Sequence, residues 1–214
     1  PITLDDIHNL ADITGPVFSP DGEVVAYTVS THNLKLDATV SDLWRVSWDG
    51  DAAPILETPN NSEWAPSYGG SVLAYLGDAT ETEEAQVFVM PASGGKARQV
   101  TTIKGSDYAL SPDGKTLIAV AEVGASVGAD PDKPKPIVMT RFQFKADYRG
   151  YIDDRRYQFF RIDVASGETE QITENGADYY LPSWSPDGTQ IAYVTARKER
   201  EDRHLDFDVY VMAP

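Results

Sequence analysis

The residues most suggestive of chemistry are Gly124-Ala125-Ser126-Val127-Gly128, which match the Gly-x-Ser-x-Gly pattern of a nucleophile elbow, with aspartates and then His204 following in the order such a site uses. A serine in that pattern becomes a nucleophile only when a strand delivers it to a sharp turn and a helix leaves the turn. An apolar run precedes the motif, but Pro131, Pro134 and Pro136 stand just behind it, and each removes a backbone donor that a helix would need. No alternation of strands and helices supplies a parallel sheet to carry the elbow. Ser126 therefore reads as an ordinary loop serine, and no catalytic residue is expected in this chain. His8, His32 and His204 are far apart in sequence and have no metal-ligand spacing. Asp130, Asp132, Asp153 and Asp154 lack the glycine-centred loop of a calcium site and read as surface carboxylates. Neither a metal nor a cofactor is expected.

The informative pattern is a repeat. Ser-Pro-Asp-Gly occurs at Ser19–Gly22, Ser111–Gly114 and Ser185–Gly188, with a degenerate copy at Ser67-Tyr68-Gly69-Gly70. Each copy precedes an apolar run: Val24–Tyr27, Val72–Tyr75, Leu117–Val120 and Ile191–Val194. Proline presets φ at the second position of a tight turn, aspartate bonds the local backbone and glycine takes the left-handed conformation, so each copy predicts a hairpin. The first two intervals match the roughly 40–50 residues of one propeller blade, and the third is longer by about 30. Third strands are predicted over Asp42–Trp48, Gln86–Pro91, Tyr157–Val164 and Phe207–Met212. Short fourth strands follow at Pro54–Glu57, Arg98–Thr101 and Glu170–Thr173. Four antiparallel strands per repeat are the signature of a blade.

The fold class is thus all-β: a β-propeller of about four blades, incomplete, with a short N-terminal helix. Residues 1–14 form a helical lead-in, in which Thr3 and Asp6 fit a capping box and Leu4, Ile7 and Leu10 share a face. The blades cover about 15–60, 61–105, 106–176 and 177–214, the last lacking its fourth strand. Residues 124–136 read as a loop, and 197–206 as a solvated charge run. In 137–160, Ile137-Val138-Met139, Phe142 and Phe144 are followed by Tyr157, Phe159 and Phe160, with a polar stretch between them. This predicts a hairpin insertion projecting from blade three. Trp44, Trp48, Trp64 and Trp184 are expected to pack between blades.

The net charge of −16 repels phosphate backbones, which excludes nucleic acid as a partner. No apolar run reaches the length of a membrane span, and no signal peptide is visible. The absence of cysteine removes disulfides and thiolate metal sites without fixing a compartment. Pro1 is an unusual first residue, and the unfinished last repeat leaves an edge unpaired, so the chain is expected to continue in its parent.

The run Tyr180–Tyr193 resembles the repeat shared by TolB-type propellers and the propellers of prolyl oligopeptidases. Thr140–Lys145, Gly150-Tyr151 and Arg155-Arg156, together with Arg197, Asp202-Arg203 and Asp208–Met212, resemble the acylaminoacyl-peptidase and dipeptidyl-peptidase-like branch of that peptidase family. The resemblance implies a propeller of seven or eight blades capping a C-terminal α/β-hydrolase domain that carries the serine nucleophile. The propeller would gate and position short peptides. A periplasmic or secreted protein is expected rather than a cytoplasmic one. Arg141, Tyr148, Arg155 and Arg156 are the substrate-binding candidates, since guanidinium groups pair bidentately with a peptide carboxylate. The alternative for the insertion is packing on a neighbouring blade or subunit. The alternative for the whole chain is a TolB-like interaction propeller without catalysis. Short peptides, the hydrolase domain and self-association through uncovered blade faces are the expected partners.

Overall fold

The computed structural model describes residues 3–50, 52–55, 62–78, 85–103, 105–124, 136, 138–139, 141–146, 150–152, 155–196, 203 and 206–214. One short helix, α1 (Leu4–His8), opens the chain. The capping box is present: the Thr3 backbone N–H donates to Asp6 Oδ2 at 2.7 Å, and the Asp6 N–H donates to Thr3 Oγ1 at 3.3 Å. Ile7 and Leu10 nevertheless remain exposed.

Everything else is antiparallel sheet. The first sheet runs in the order β1 (Ala11–Phe18), β2 (Val24–Asn33), β3 (Ala38–Ser47), β4 (Ala52–Pro54). The second runs β5 (Glu63–Gly69), β6 (Val72–Asp78), β7 (Ala85–Pro91), β8 (Arg98–Gln99). In the third, β9 (Gly105–Leu110) and β10 (Thr116–Val123) are followed by a detached two-stranded hairpin, β11 (Lys145–Ala146) with β12 (Gly150–Tyr151). The chain then returns through β13 (Arg156–Asp163) and β14 (Thr169–Gln171). The fourth sheet is β15 (Tyr179–Trp184), β16 (Ile191–Thr195), β17 (Asp208–Met212). These are propeller blades. The first strand of each contacts the first strand of the next (β1 with β5, β5 with β9, β9 with β15), which puts these strands on the inside of the arc.

The apolar runs after each turn have a physical reason. A strand buried on both faces loses its polar alternation. In β6, Leu73 and Tyr75 pack with Ala26, Leu43 and Met90 between sheets one and two, while Ala74 and Leu76 face the core between sheets two and three. In β10, Leu117 and Ala119 face sheet two, and Ile118 and Val120 join Phe159, Tyr179, Ile191 and Tyr193 between sheets three and four. The outward faces of the two end sheets are uncovered: Ile13 is 68% and Phe18 60% exposed on the first, Val209 73% and Val211 56% on the last.

The outer strands are fastened by a repeated threonine. Thr101 Oγ1 accepts from the Val87 N–H at 2.8 Å, and Thr173 Oγ1 accepts from the Phe159 N–H at 2.8 Å. Both threonines are buried. The inner strands carry a second device. Gly15-Pro16, Ala65-Pro66 and Leu181-Pro182 each sit where the register of the first strand shifts. The residue before proline has φ of 59°, 53° and 51° respectively, a left-handed conformation that costs a non-glycine residue about 1–3 kcal/mol.

Several expectations are corrected. The third strand of the first sheet begins at Ala38 rather than Asp42, because β2 and β3 continue as a hairpin closed by Asn33, whose Oδ1 accepts from the Lys35 N–H at 3.1 Å. Polar Thr31 and His32 obscure that extension in the sequence. The degenerate turn is Gly70-Ser71, not Ser67–Gly70, since Gly69 pairs with Val72 and Ser67 and Tyr68 remain in the strand. The insertion hairpin is short, closed by the Ile152 N–H donating to Phe144 O at 2.9 Å. Tyr157, Phe159 and Phe160 are not its second arm, because they pair with β10. Trp48 is 71% exposed and donates from Nε1 to Gly22 O at 2.8 Å, bracing the first turn instead of filling a core. Trp64 and Trp184 do pack against buried clusters.

The displaced turn explains why the second copy lost its proline and aspartate. Its backbone docks on the third copy: the Gly70 N–H donates to Pro112 O at 2.8 Å. A Cβ at Gly69 would lie 2.2 Å from Ser111 O, and one at Gly114 would lie 2.2 Å from Gly69 O. Gly22, by contrast, has nothing within 4 Å of its would-be Cβ and only a φ of +75° to satisfy. Gly69→Ala is therefore expected to destabilise by more than about 3 kcal/mol through a forced backbone shift, against about 1 kcal/mol for Gly22→Ala. Urea unfolding of the two variants checks this, and equal losses would contradict the docked-turn contact.

Candidate functional site at the rim of blades three and four

The ends of the strands remote from the turns form the rim from which the insertion leaves β10 and the 196–207 connection leaves β16. The two segments meet, with the Arg203 guanidinium 6.0 Å from the centre of the Phe142 ring. The same end of sheets three and four holds an open pocket of about 520 Å³, lined by Asp107, Val120, Tyr157, Tyr180, Leu181, Val194 and Phe207. Tyr180 joins its walls, with ring centroids 5.5 Å from Tyr157 and 6.1 Å from Phe207. Leu181 and Phe207 are 65% and 50% exposed. The left-handed backbone at Leu181 is the local reason that an apolar side chain is turned outward on an inner strand.

Asp107 supplies the pocket's carboxylate. Burial raises its pKa from the ordinary value, opposed by a hydrogen bond from the Tyr108 N–H to Oδ1 at 2.8 Å. The Tyr108 hydroxyl donates across the sheet boundary to Ala65 O at 2.6 Å, and burial together with Asp107 pushes its pKa well up. Hydrophobic and aromatic walls around one half-buried carboxylate suit an apolar group that carries a positive charge.

Of the predicted substrate-binding residues, Arg155 and Arg156 stand at the same rim, with partners inside the chain. Arg155 donates from NH1 to Glu122 Oε2 at 2.8 Å, both side chains being largely covered. Arg156 donates from Nε to Gly176 O at 2.9 Å and from NH1 to Arg155 O at 2.8 Å, tying β13 to the loop that leads into sheet four. Arg141 is half-buried in the insertion. Tyr148 lies outside the described residues, as do Ser126, His204 and the four aspartates weighed as calcium ligands. The structure stacks His8 on His32 at 6.0 Å, which sequence separation concealed, but no group of three metal-binding side chains occurs among the described residues. Sequence reasoning missed the pocket itself. Its only signals were the Tyr179-Tyr180-Leu181-Pro182 run and an aspartate on an inner strand.

No family model matches the chain. It is 30% identical over 99% of its length to an uncharacterized peptidase, YuxL, of Bacillus subtilis, and covers 34% of that protein. It is 28% identical over 92% of its length to dipeptidyl-peptidase 5 of Porphyromonas endodontalis, covering 31% of it. The chain thus spans about a third of the length of these peptidases. The chain is thus a propeller similar in sequence to these peptidases over nearly its whole length. Among solved structures, the Pyrococcus horikoshii acylaminoacyl peptidase superposes on 96% of this propeller with a TM-score of 0.72 at 18% identity, and 31% of that chain is covered. TolB from Acinetobacter baumannii superposes on 94% with a TM-score of 0.61 at 19% identity, with 41% of it covered. At these identities the two structures show a shared fold. No helix among the described residues is long and apolar enough to cross a membrane.

The raised pKa of Asp107 has a consequence for the propeller's stability. In the unfolded chain an aspartate titrates near 3.9. Below that value the group is protonated in both states, whereas above its raised folded value it must be charged in a half-buried place. Asp107→Asn is therefore expected to leave stability unchanged at pH below about 3.9 and to increase it as pH rises through the folded value. Thermal unfolding across pH 3–7 checks this, and a variant less stable than the parent at neutral pH would contradict it.

Proposed function

We propose that this propeller gates and positions short peptides for a serine peptidase whose α/β-hydrolase domain carries the nucleophile, and that peptides are held at the rim of blades three and four. One observation carries the reading: an apolar pocket with a single half-buried carboxylate is lined by Tyr157 and Phe207, the residues that follow the insertion and the 196–206 connection. An apolar side chain of the peptide would fill the space among Tyr157, Tyr180 and Phe207, and its amino group would face Asp107. Arg141 and Tyr148 would meet the peptide's carboxylate, with Arg155 and Arg156 fixing the floor through Glu122 and the Gly176 carbonyl. The propeller itself carries out no bond cleavage in this account. Its uncovered end faces would join further blades, or self-associate when those are absent. A periplasmic or secreted setting fits the same reading.

The kinetics of the propeller joined to its hydrolase domain test it. Asp107→Asn and Arg141→Gln should each raise KM more than they lower kcat, because they remove binding made equally in the ground and transition states. Unchanged kinetics with an altered oligomer size would instead assign the insertion to packing.

The second reading is a TolB-like interaction propeller without catalysis, favoured by the fold shared with the Acinetobacter protein. A parent gene with no strand–Gly-x-Ser-x-Gly–helix element would select it.

A further inference from the structure

The opposite end of the arc holds a second concavity that the peptidase reading leaves unused. It is a groove of about 850 Å³ where the turns of sheets one, two and three meet. Val72, Met90 and Val164 contribute apolar lining, and Arg45, Lys96 and Arg98 stand around it. All three cations come from different places in the chain: β3, the β7–β8 turn and β8. Two of them are held in position by backbone carbonyls. Arg45 donates from NH1 to Ser93 O at 3.4 Å, and Arg98 donates from NH2 to Val164 O.

The charge of the groove runs against that of the molecule. The chain has 18 basic and 34 acidic residues, yet no carboxylate among the described residues lies within ion-pair distance of Arg45, Lys96 or Arg98. Asp21 also lines the groove and Asp163 adjoins Val164; both stay ionised, and each is hydrogen-bonded within its own turn. Asp21 Oδ1 accepts from Ser19 Oγ at 2.6 Å and from the Glu23 N–H at 3.1 Å. Asp163 Oδ1 accepts from the Ser166 N–H at 2.7 Å and from its hydroxyl at 2.8 Å. The Tyr68 hydroxyl, half-buried in the same groove, adds a neutral donor beside Arg45. Because three consecutive sheets build it, the groove does not depend on how the arc is completed.

We propose that this groove binds the C-terminal end of a peptide, with its carboxylate among Arg45, Lys96 and Arg98 and its last, apolar side chain on Val72, Met90 and Val164. Two guanidinium groups match a planar carboxylate, which accepts two parallel hydrogen bonds. The apolar floor selects a peptide end over a bare inorganic anion, which would leave that surface in water. Pre-positioned cations lower the ordering cost of binding. The site is independent of the rim pocket, which lies at the far ends of the same strands and offers a carboxylate instead of cations.

The test titrates the chain with acetyl-leucyl-phenylalanine and, separately, with its C-terminal amide, following backbone amide resonances. The acid should bind at least about fivefold more tightly than the amide, and K96Q and R45Q should each lose about that factor. K96Q sits on an exposed turn, so it tests the claim even if R45Q perturbs β3. Asp107→Asn, in the rim, should leave this binding unchanged, which separates failure here from failure of the rim reading. Equal binding of acid and amide, competition by inorganic phosphate at concentrations equal to the acid, or no saturable shift at the groove would each overturn the proposal.

Discussion

The stacking of sheet on sheet is the interaction on which everything else depends. A blade of four strands has two apolar faces and can bury neither alone. Each of the three interfaces here is an apolar cluster drawn from both sheets, with Leu43 and Leu73 in the first, Leu76, Leu117 and Ile162 in the second, and Ile118, Phe159 and Ile191 in the third. Fully burying one such side chain is worth about 1.5–3 kcal/mol, so the interfaces rather than the hairpins hold the arc together. Polar contacts then fix the spacing. Trp184 reaches back from its own sheet to donate to Ala109 O at 3.1 Å, as Tyr108 does to Ala65.

Stacking also decides where function can reside. Strand middles are consumed by the interfaces, and among the described residues the groove and the rim pocket lie toward the two ends of the strands. On the turn side, short connections leave a groove floored by strand edges. On the other side, Tyr157, Tyr180 and Phe207 wall a pocket beside the inner strands, and Arg203 meets Phe142. The left-handed residue in three of the four inner strands belongs to this logic. At Ala65 it directs a carbonyl toward Tyr108 of the next sheet, and at Leu181 it turns an apolar side chain into the rim pocket. Strain of that kind persists where surrounding structure over-determines it.

Much of the fold was legible because its determinants are local. The Ser-Pro-Asp-Gly turns fold as their chemistry dictates: Ser19, Ser111 and Ser185 each donate a hydroxyl to the aspartate two residues on, at 2.6, 2.7 and 2.5 Å. Those bonds pull the aspartates below the ordinary carboxylate range, Asp187 to about 2. The degenerate turn was legible as a turn but not in its place, because what moves it is the approach of another blade's backbone, and no local pattern encodes that. The candidate site was less legible for the same reason. Arginines at 155 and 156 advertise charge, whereas their partners, Glu122 and the Gly176 carbonyl, come together only in the fold. The pocket wall assembles Asp107, Tyr157, Tyr180 and Phe207 from four separated stretches, each unremarked in its own context.

The central claim is that the rim of blades three and four is where peptides are held. Photo-crosslinking tests it most directly: a tripeptide with a free amino terminus and a benzophenone side chain is irradiated with the chain, and the modified residues are mapped by mass spectrometry. The account predicts adducts concentrated on Tyr157, Tyr180, Leu181 and Phe207, lost when an unlabelled apolar tripeptide is added in excess. Adducts confined to the uncovered faces around Phe18 and Val209, or undiminished by the competitor, would contradict it.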